Sequence, residues 1–289
     1  MIDLIVEPMQ YGFMQRALLV SALAATACGV VGTFVVLRGM AFMGDAIAHS
    51  ALTGMAIAFL VGVNVTVGAL VWAVPASLGI SFVSRRTGIR LDAVIGVLFA
   101  GGFALGVILI NVSPNYAGDL LGILFGNVLG ASWLDVLSVG CLAGGGIIVV
   151  GLLFQEVVFM TYDASVAEAS GIPVRFLEYL LPLLVALTTV ASLQTVGNVM
   201  VMSLLVVPAV TGSMLARRLA SMMLATVGVA LTAIVIGLYL SFHANLPTGP
   251  AIVVVSVTQL LVVVVVSPRR WSLLARWRRR TGSSEPAAD

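Results

Sequence analysis

The chain has no lysine and little charge of either sign. Only 9% of its 289 residues are charged, whereas an ordinary soluble domain carries about 25%, and all 14 positive side chains are arginines. This scarcity excludes a water-exposed globule of this size, because too little polar surface is available to solvate it. The absence of lysine excludes an ATP-hydrolysing phosphate loop, which needs a lysine to reach the phosphates. Energy for any work must therefore come from a partner or from an ion gradient.

Cysteine is also scarce. Cys28 and Cys141 both lie within apolar stretches, where a free cysteine behaves as a small packing residue. Two such cysteines exclude a disulfide framework and the spacing of a zinc finger. The N-terminal residues carry Asp3 and Glu7 where a secretory signal would carry positive charge, so we expect them to be retained in the mature protein.

Apolar residues dominate what remains, with 61% hydrophobic residues and a mean hydropathy of +1.16. Eight apolar runs are nearly free of charge and long enough to cross a bilayer, and a ninth, 43–63, is equally apolar except for Asp45 and His49. These eight runs cover residues 17–37, 65–83, 93–112, 136–154, 179–196, 199–216, 219–242 and 250–267. The pattern predicts an all-α fold, a polytopic transmembrane helix bundle of about eight to nine helices. Residues 120–129 are too short to span and are predicted to be re-entrant or interfacial.

Small residues and prolines within these runs indicate how the helices pack. Thirty glycines favour close helix–helix approach in lipid. Pro75, Pro182 and Pro208 predict kinks or breaks inside spans. The pair Gly197-Asn198 leaves open whether the runs on either side of it are two spans or one broken element.

Arginine placement predicts the orientation, because short cytoplasmic loops collect positive charge. Arginines cluster at 85–90, at 217–218 and at 269–280, whereas 113–117 and 244–248 contain none. We therefore expect a multi-pass protein of the cell membrane with a cytoplasmic C-terminus, and nine crossings would leave the N-terminus outside. Residues 1–268 form a single transmembrane domain, and 269–289 form an arginine- and tryptophan-rich cytoplasmic tail that anchors on anionic lipid rather than on nucleic acid.

Asp45 and His49 are the first candidate site. A spacing of four residues places both side chains on one helix face, one turn apart, where they can hold the same ligand. A carboxylate with an imidazole suits zinc or manganese better than calcium, and charged groups at membrane depth usually line an ion path. The residues alone leave a second interpretation open, in which Asp45 caps a helix that begins near Ala46 and His49 bonds to a backbone carbonyl.

Residues 161–173 form the second candidate. Asp163 suits a helix N-cap, Gly171 suits the residue that follows a helix, and Pro173 prevents continuation, so the segment predicts a two-turn helix over about residues 164–170. The neighbouring Arg175 places it in the cytoplasm. Such a helix fits either a docking contact for a partner or an ordinary structured loop.

Several motifs together carry a family resemblance. They are RGMAFMGDAIAHSAL at 38–52, LFGNVLG at 124–130, Val196-Gly197 with residues 204–208, and Asp163 with Ala167, Gly171 and Ile172. Across residues 11–267 the chain resembles the integral-membrane permease subunits of ABC importers for zinc, manganese and related divalent metals. In this resemblance Asp163, Ala167, Gly171 and Ile172 match the ATPase-coupling segment, and only the arginine-rich tail looks individual.

The resemblance implies a homodimeric pore with two cytoplasmic ATP-binding subunits and an extracytoplasmic metal-binding protein that delivers the ion. It implies that Asp45 and His49 line the metal route and that transport proceeds by alternating access. The missing lysine fits this division of labour, since ATP hydrolysis would occur on another chain. No permanently bound cofactor is expected; the metal, zinc or manganese, is cargo, and the chain itself is not an enzyme.

Two other functional classes remain as alternatives. An ion-coupled secondary metal transporter would use the same intramembrane carboxylate as a proton relay and would need no ATPase. An intramembrane hydrolase would rest on Gly130-Ala131-Ser132-Trp133, which only superficially fits a nucleophile motif. His243 lies in a predicted outer loop and matches no family motif, so its interpretation as an entrance ligand or as an exposed histidine stays open.

Overall fold

The structure is a computed structural model that describes residues 7–112 and 126–266. Four features predicted from the sequence lie outside the described residues in whole or in part. They are the tail 269–289, the loop 113–117, residues 120–125 of the interfacial stretch and the first two residues of the motif at 124–130.

The described residues are mostly helical and include no strand. Nine of their helices are long and apolar enough to cross a membrane, which confirms the all-α polytopic bundle. The helix bounds are α1 (Gly12–Leu37), α2 (Met43–Val61), α3 (Val65–Thr87), α4 (Leu91–Val112), α5 (Trp133–Leu152), α6 (Phe154–Tyr162), α7 (Ala164–Ala169), α8 (Val174–Val196), α9 (Asn198–Leu215), α10 (Leu219–Ala244) and α11 (Thr248–Val266), with a 3₁₀ turn at Val128–Gly130. The spanning helices are α1 to α5 and α8 to α11, and α6 and α7 are shorter.

The helices α1, α2 and α8 lie at the centre of the bundle. Most of their residues are buried, whereas α5 and α11 bury few. Helix α2 packs between α3 and α4 and also contacts α8, and α1 contacts α5, α8, α9 and α10. Because α2 is central, its two ionisable side chains lie among neighbouring helices rather than on the outer surface of the bundle.

Glycines mark the closest approaches between helices. A Cβ atom at Gly32 of α1 would collide with the carbonyl group of Leu205 in α9, and one at Gly54 of α2 would collide with the carbonyl of Gly68 in α3. In lipid, helices gain no hydrophobic free energy when their apolar surfaces come together, because lipid tails are equally apolar. Close van der Waals packing is therefore a main source of helix association. The glycine-rich spans are therefore closely packed, as the sequence predicts.

We expect Gly32→Ala to destabilise the bundle. The added methyl group meets backbone, which cannot rotate aside, and overpacking of this kind costs about 1–3 kcal/mol. The measurement is the thermal unfolding midpoint of the purified protein in detergent. Gly79→Ala in α3 is the matched control, because its Cβ would meet no atom within 4 Å among the described residues. Equal midpoints for the two variants would contradict this close contact.

Helices α8 and α9 meet at a single residue. Gly197 adopts φ 83° and ψ 156°, a backbone region that only glycine enters without strain, and α9 begins at Asn198. Gly126 lies so close that a Cβ there would collide with the peptide between Val196 and Gly197. The two apolar runs are therefore separate helices. The prolines do not break helices, because all three lie inside continuous ones: Pro75 in α3, Pro182 in α8 and Pro208 in α9.

Candidate metal site

Asp45 and His49 face each other on α2. Their spacing of four residues brings Asp45 Oδ1 to 3.3 Å from His49 Nε2, and the two side chains are 24% and 19% exposed. Helix α2 begins at Met43, so Asp45 lies inside the first turn and is not the N-cap, which is Phe42. The capping interpretation therefore does not describe this helix.

The imidazole of His49 packs against the middle of α4. It lies edge-on to Phe99 and Phe103, with ring centroids at 5.2 and 5.3 Å. These two phenylalanines flank the midpoint of a helix of 22 residues. At about 1.5 Å per residue they are roughly 12 Å or more from either end of α4. Ionisable groups among membrane-spanning helices are costly and usually mark substrate or ion paths.

Asn198 is a neighbour that the sequence reasoning missed. It is 4% exposed, and its Nδ2 lies 3.0 Å from His49 Nε2. The sequence contained one signal for it, since an amide directly after a helix-breaking glycine inside an apolar run is typical of discontinuous membrane helices that build ion sites. From the sequence, the pair Gly197-Asn198 bears only on the number of helices.

The three side chains offer an incomplete coordination shell. Among the described residues no group of three or more His, Cys, Asp and Glu side chains could hold a metal ion. At this position the described residues bring together a carboxylate, an imidazole and an amide. A transport site must release its ion, so weak or incomplete coordination suits passage better than permanent binding.

The predicted two-turn helix is present as α7. Asp163 is its N-cap, and its carboxylate accepts from the backbone N–H groups of Ser165 and Val166, both at 3.0 Å. Gly171 adopts φ 84° after the helix, and its N–H donates to the carbonyl of Glu168 at 3.1 Å. The sequence thus predicted both ends of this element correctly, because both depend on local capping chemistry.

The four residues predicted to couple to an ATPase differ in their exposure. Asp163 and Gly171 are exposed and Ile172 is half-buried, whereas Ala167 is fully buried. The N–H of Ile172 donates to the carbonyl of Ala167 at 3.1 Å, which closes the turn after the helix. Ala167 therefore packs against its neighbours in this structure, and its place in the ATPase-coupling segment stays a prediction, as for the other three residues.

A charge cluster at one end of the bundle links α7 to α2. Glu178 of α8 pairs with Arg85 of α3 and with Arg38, whose Nη2 lies 3.7 Å from Glu178 Oε1. Arg38, in the turn before α2, also donates to the carbonyl of Met160 near the end of α6, at 3.3 Å. Burial lowers the pKa of the Arg38 guanidinium, and the charge of Glu178 opposes that shift. Glu178 thus joins α8 to α3 and to the turn before α2, and Arg38 extends the cluster to α6.

We expect Glu178→Gln to destabilise the protein more than loss of an exposed ion pair does. The change leaves the partly buried Arg38 and the exposed Arg85 without their counter-charge, a loss of about 1–3 kcal/mol for charged hydrogen-bonding groups. The thermal unfolding midpoint in detergent measures the effect. Asp92→Asn is the control, because the pair of Asp92 with Arg90 is exposed and contributes about 1 kcal/mol or less. Equal shifts for the two variants would contradict a structural role for the cluster.

The residues of the other interpretations have their own surroundings. Ser132 is the N-cap of α5, where its hydroxyl donates to Asp135 Oδ2 at 2.7 Å in a capping box. This role explains Ser132 without nucleophilic chemistry. His243 lies in the last turn of α10, with its ring 5.3 Å from that of Phe242.

Comparison with known proteins supplies the family. A model of the ABC 3 transport family matches residues 10–267. The chain is 41% identical over 269 residues to the manganese transport system membrane protein MntC of Listeria innocua serovar 6a, covering 93% of this chain and 95% of that protein. It is 34% identical over 263 residues to the chelated iron transport system membrane protein YfeD of Yersinia pestis, covering 91% and 88%.

A solved structure supports the same assignment. The fold is similar to that of PsaBC from Streptococcus pneumoniae in complex with a Fab, with a TM-score of 0.84, 32% sequence identity, and coverage of 96% of this chain and 100% of that one. The family match spans nearly all of the described helices, and its membrane subunits are transport components rather than enzymes. The chain belongs to the ABC 3 transport family, as the permease subunit of a metal ABC importer.

Proposed function

We propose that this permease moves a divalent metal ion inward by alternating access, through a transient site at Asp45 and His49, with energy supplied by ATP hydrolysis on a separate subunit. The observation that carries the proposal is the pairing of a carboxylate and an imidazole at 3.3 Å in the middle of the bundle. A metal ion needs such donors, and ionisable side chains among membrane-spanning helices usually line an ion or substrate path.

Manganese is the cargo that we favour. Relatives are named for the transport of manganese and of chelated iron. Carboxylate and imidazole donors are compatible with both metals and with zinc, and selection among them depends on geometry and supply rather than on raw affinity. Zinc stays a prediction from the donor set and from the family resemblance.

We infer the partners from the missing phosphate-loop lysine and from the exposed residues of α7. With no lysine for a phosphate loop, the chain needs ATP-binding subunits, and we propose two of them, docked in the cytoplasm on the exposed residues of α7 in a homodimer of the permease. An extracytoplasmic metal-binding protein would deliver the ion. This arrangement places the C-terminus and the tail 269–289 in the cytoplasm, in agreement with the arginine distribution.

A continuous set of contacts supports coupling between the docking helix and the metal site. Helix α6 leads directly into α7, and its Met160 carbonyl accepts from Arg38. Arg38 lies a few residues before the start of α2, the helix that carries Asp45 and His49. A displacement of α7 by the ATPase would therefore reach α2 through one arginine and its partner Glu178.

The test is ATP-driven uptake by proteoliposomes that contain the permease with its co-purified ATPase. We expect Mn²⁺ to enter only when ATP is present, and a panel of divalent metals then ranks the cargo. An ion-coupled secondary transporter would instead take up metal with a proton gradient and without the ATPase. Uptake that is insensitive to removal of the ATPase would overturn the proposal in favour of that alternative.

A further inference from the structure

We propose that Asn198 is a third metal ligand, whose carboxamide oxygen joins Asp45 and His49 and biases the site towards manganese over zinc. This inference rests on the proposed function, since it completes the same site. It concerns a residue that lies 149 positions along the chain from His49 and on a different helix.

The side-chain amide of Asn198 is buried, and its oxygen atom makes no hydrogen bond among the described residues. The residue is 4% exposed, and its Oδ1 has no hydrogen-bond partner within the described ranges 7–112 and 126–266. A buried amide oxygen without a partner is destabilising, so natural structures rarely retain one without a reason. Its neighbour at 3.0 Å is the imidazole of a candidate metal-binding pair.

With the Asn198 amide in the orientation of the structure, the hydrogen bonding around His49 is unfavourable. Nε2 lies 3.0 Å from Asn198 Nδ2 and 3.3 Å from Asp45 Oδ1. A neutral ring nitrogen either carries a proton or accepts one. If it accepts from Asn198, its lone pair faces a carboxylate oxygen, and if it donates to Asp45, its N–H faces an amide N–H. One of the two contacts is therefore unfavourable in either tautomer.

A turn of the amide relieves this conflict, and the turned amide can then join His49 and Asp45 in holding a metal ion. A half-turn of the Asn198 amide about its last side-chain bond exchanges Nδ2 and Oδ1 without moving the backbone, because the two atoms have nearly the same shape. The amide oxygen, the imidazole lone pair and the carboxylate oxygen then all face the same point. Three groups that conflict with one another become a set of convergent donors.

The resulting donor set points to the class of cargo. Two oxygens and one nitrogen form a harder set than one rich in nitrogen or sulfur, and carboxylate and carbonyl oxygens suit manganese. The amide adds a ligand without adding negative charge, which keeps the ion weakly held and able to leave. Asn198 is also the first residue of α9, so a shift of α9 against α2 would withdraw this ligand from the other two.

The experiment measures Mn²⁺ binding to the detergent-purified transporter by electron paramagnetic resonance. We expect Asn198→Ala to weaken Mn²⁺ affinity by about tenfold or more, a loss at the lower end for groups that support a metal site. Asn198→Asp is the deciding variant. A ligand role predicts that it binds Mn²⁺ at least as tightly as the parent, because it keeps the oxygen.

The Asn198→Asp variant also separates a ligand from a structural residue. If Asn198 only donates a hydrogen bond to His49, Asn198→Asp loses affinity as Asn198→Ala does, because a carboxylate has no N–H, and that result would overturn the inference. Thr211→Ala, which removes a buried α9 hydroxyl that bonds within its own helix, is the control and should leave affinity unchanged. Unchanged affinity in Asn198→Ala, with binding abolished by Asp45→Ala, would reject this ligand and leave the proposed function intact.

Selectivity is tested by competition between Mn²⁺ and Zn²⁺. Replacement of the amide oxygen by a nitrogen donor in Asn198→His should shift the preference towards Zn²⁺ by about tenfold, because imidazole suits zinc. An unchanged ratio of Mn²⁺ affinity to Zn²⁺ affinity would overturn the assignment of selectivity to this position.

Discussion

Asp45→Ala is expected to abolish ATP-driven metal uptake while leaving the permease assembled with its ATPase. Asp45 supplies a carboxylate beside His49 in the interior of the bundle. Removal of groups that merely orient metal ligands lowers metal affinity or activity about 10- to 100-fold. Loss of a direct ligand should therefore lower uptake by at least about 100-fold. Assembly should survive, because Asp45 does not cap α2 and lies far along the chain from α7. Uptake of labelled Mn²⁺ into proteoliposomes measures the effect.

The control for this variant is Asp92→Ala. Asp92 is a carboxylate in the first turn of α4 and pairs with Arg90 at an exposed position. Its removal changes the net charge of the protein by the same amount as Asp45→Ala, without touching the bundle interior, and uptake should remain near the parent rate. If Asp45→Ala transports at the parent rate, the metal route does not pass this carboxylate, and the proposed site is wrong.

Gly171→Val is expected to detach the ATPase and so to uncouple ATP hydrolysis from transport. Gly171 adopts φ 84° and donates to the carbonyl of Glu168, in the turn that ends α7. A β-branched residue in this backbone region costs about 1–3 kcal/mol, so the turn should open and the docking helix should lose its fixed position. A loss of about 1.4 kcal/mol corresponds to tenfold weaker association. Co-purification of the ATPase with the variant, together with uptake, measures the change.

A control must show that loss of the ATPase comes from a displaced α7 and not from backbone strain in general. Gly62 follows α2 with φ 77°, and a Cβ there would meet nothing within 4 Å among the described residues, as at Gly171. Gly62→Val therefore imposes similar strain at the other end of α2 from the charge cluster, and it should retain the ATPase. Gly171→Asn should be intermediate, since asparagine tolerates this backbone region better than valine. Equal retention of the ATPase by Gly171→Val and Gly62→Val would show that α7 is not the docking element.

The close pairing of Asp45 and His49 and the capped helix α7 could both be predicted from the sequence. Each depends on residues within a few positions of one another, and helical geometry fixes their relation without any knowledge of the rest of the fold. The partner face of α7 could not be predicted in the same way. Ala167 is buried because of how α7 lies against its neighbours, and the sequence of a short helix in a loop contains no strong apolar stripe that reveals its inner side.

The amino-acid sequence alone determined that this protein spans a membrane many times, since hydropathy acts on each helix separately and the bilayer requires an apolar run of fixed length. It also excluded a lysine-dependent phosphate loop on this chain, because the chain contains no lysine. Only the tertiary structure decided that Asn198 meets His49 and that Glu178 joins Arg38 to Arg85. These contacts depend on the depth and rotation of one helix against another, which arise from close packing at glycines distant in sequence.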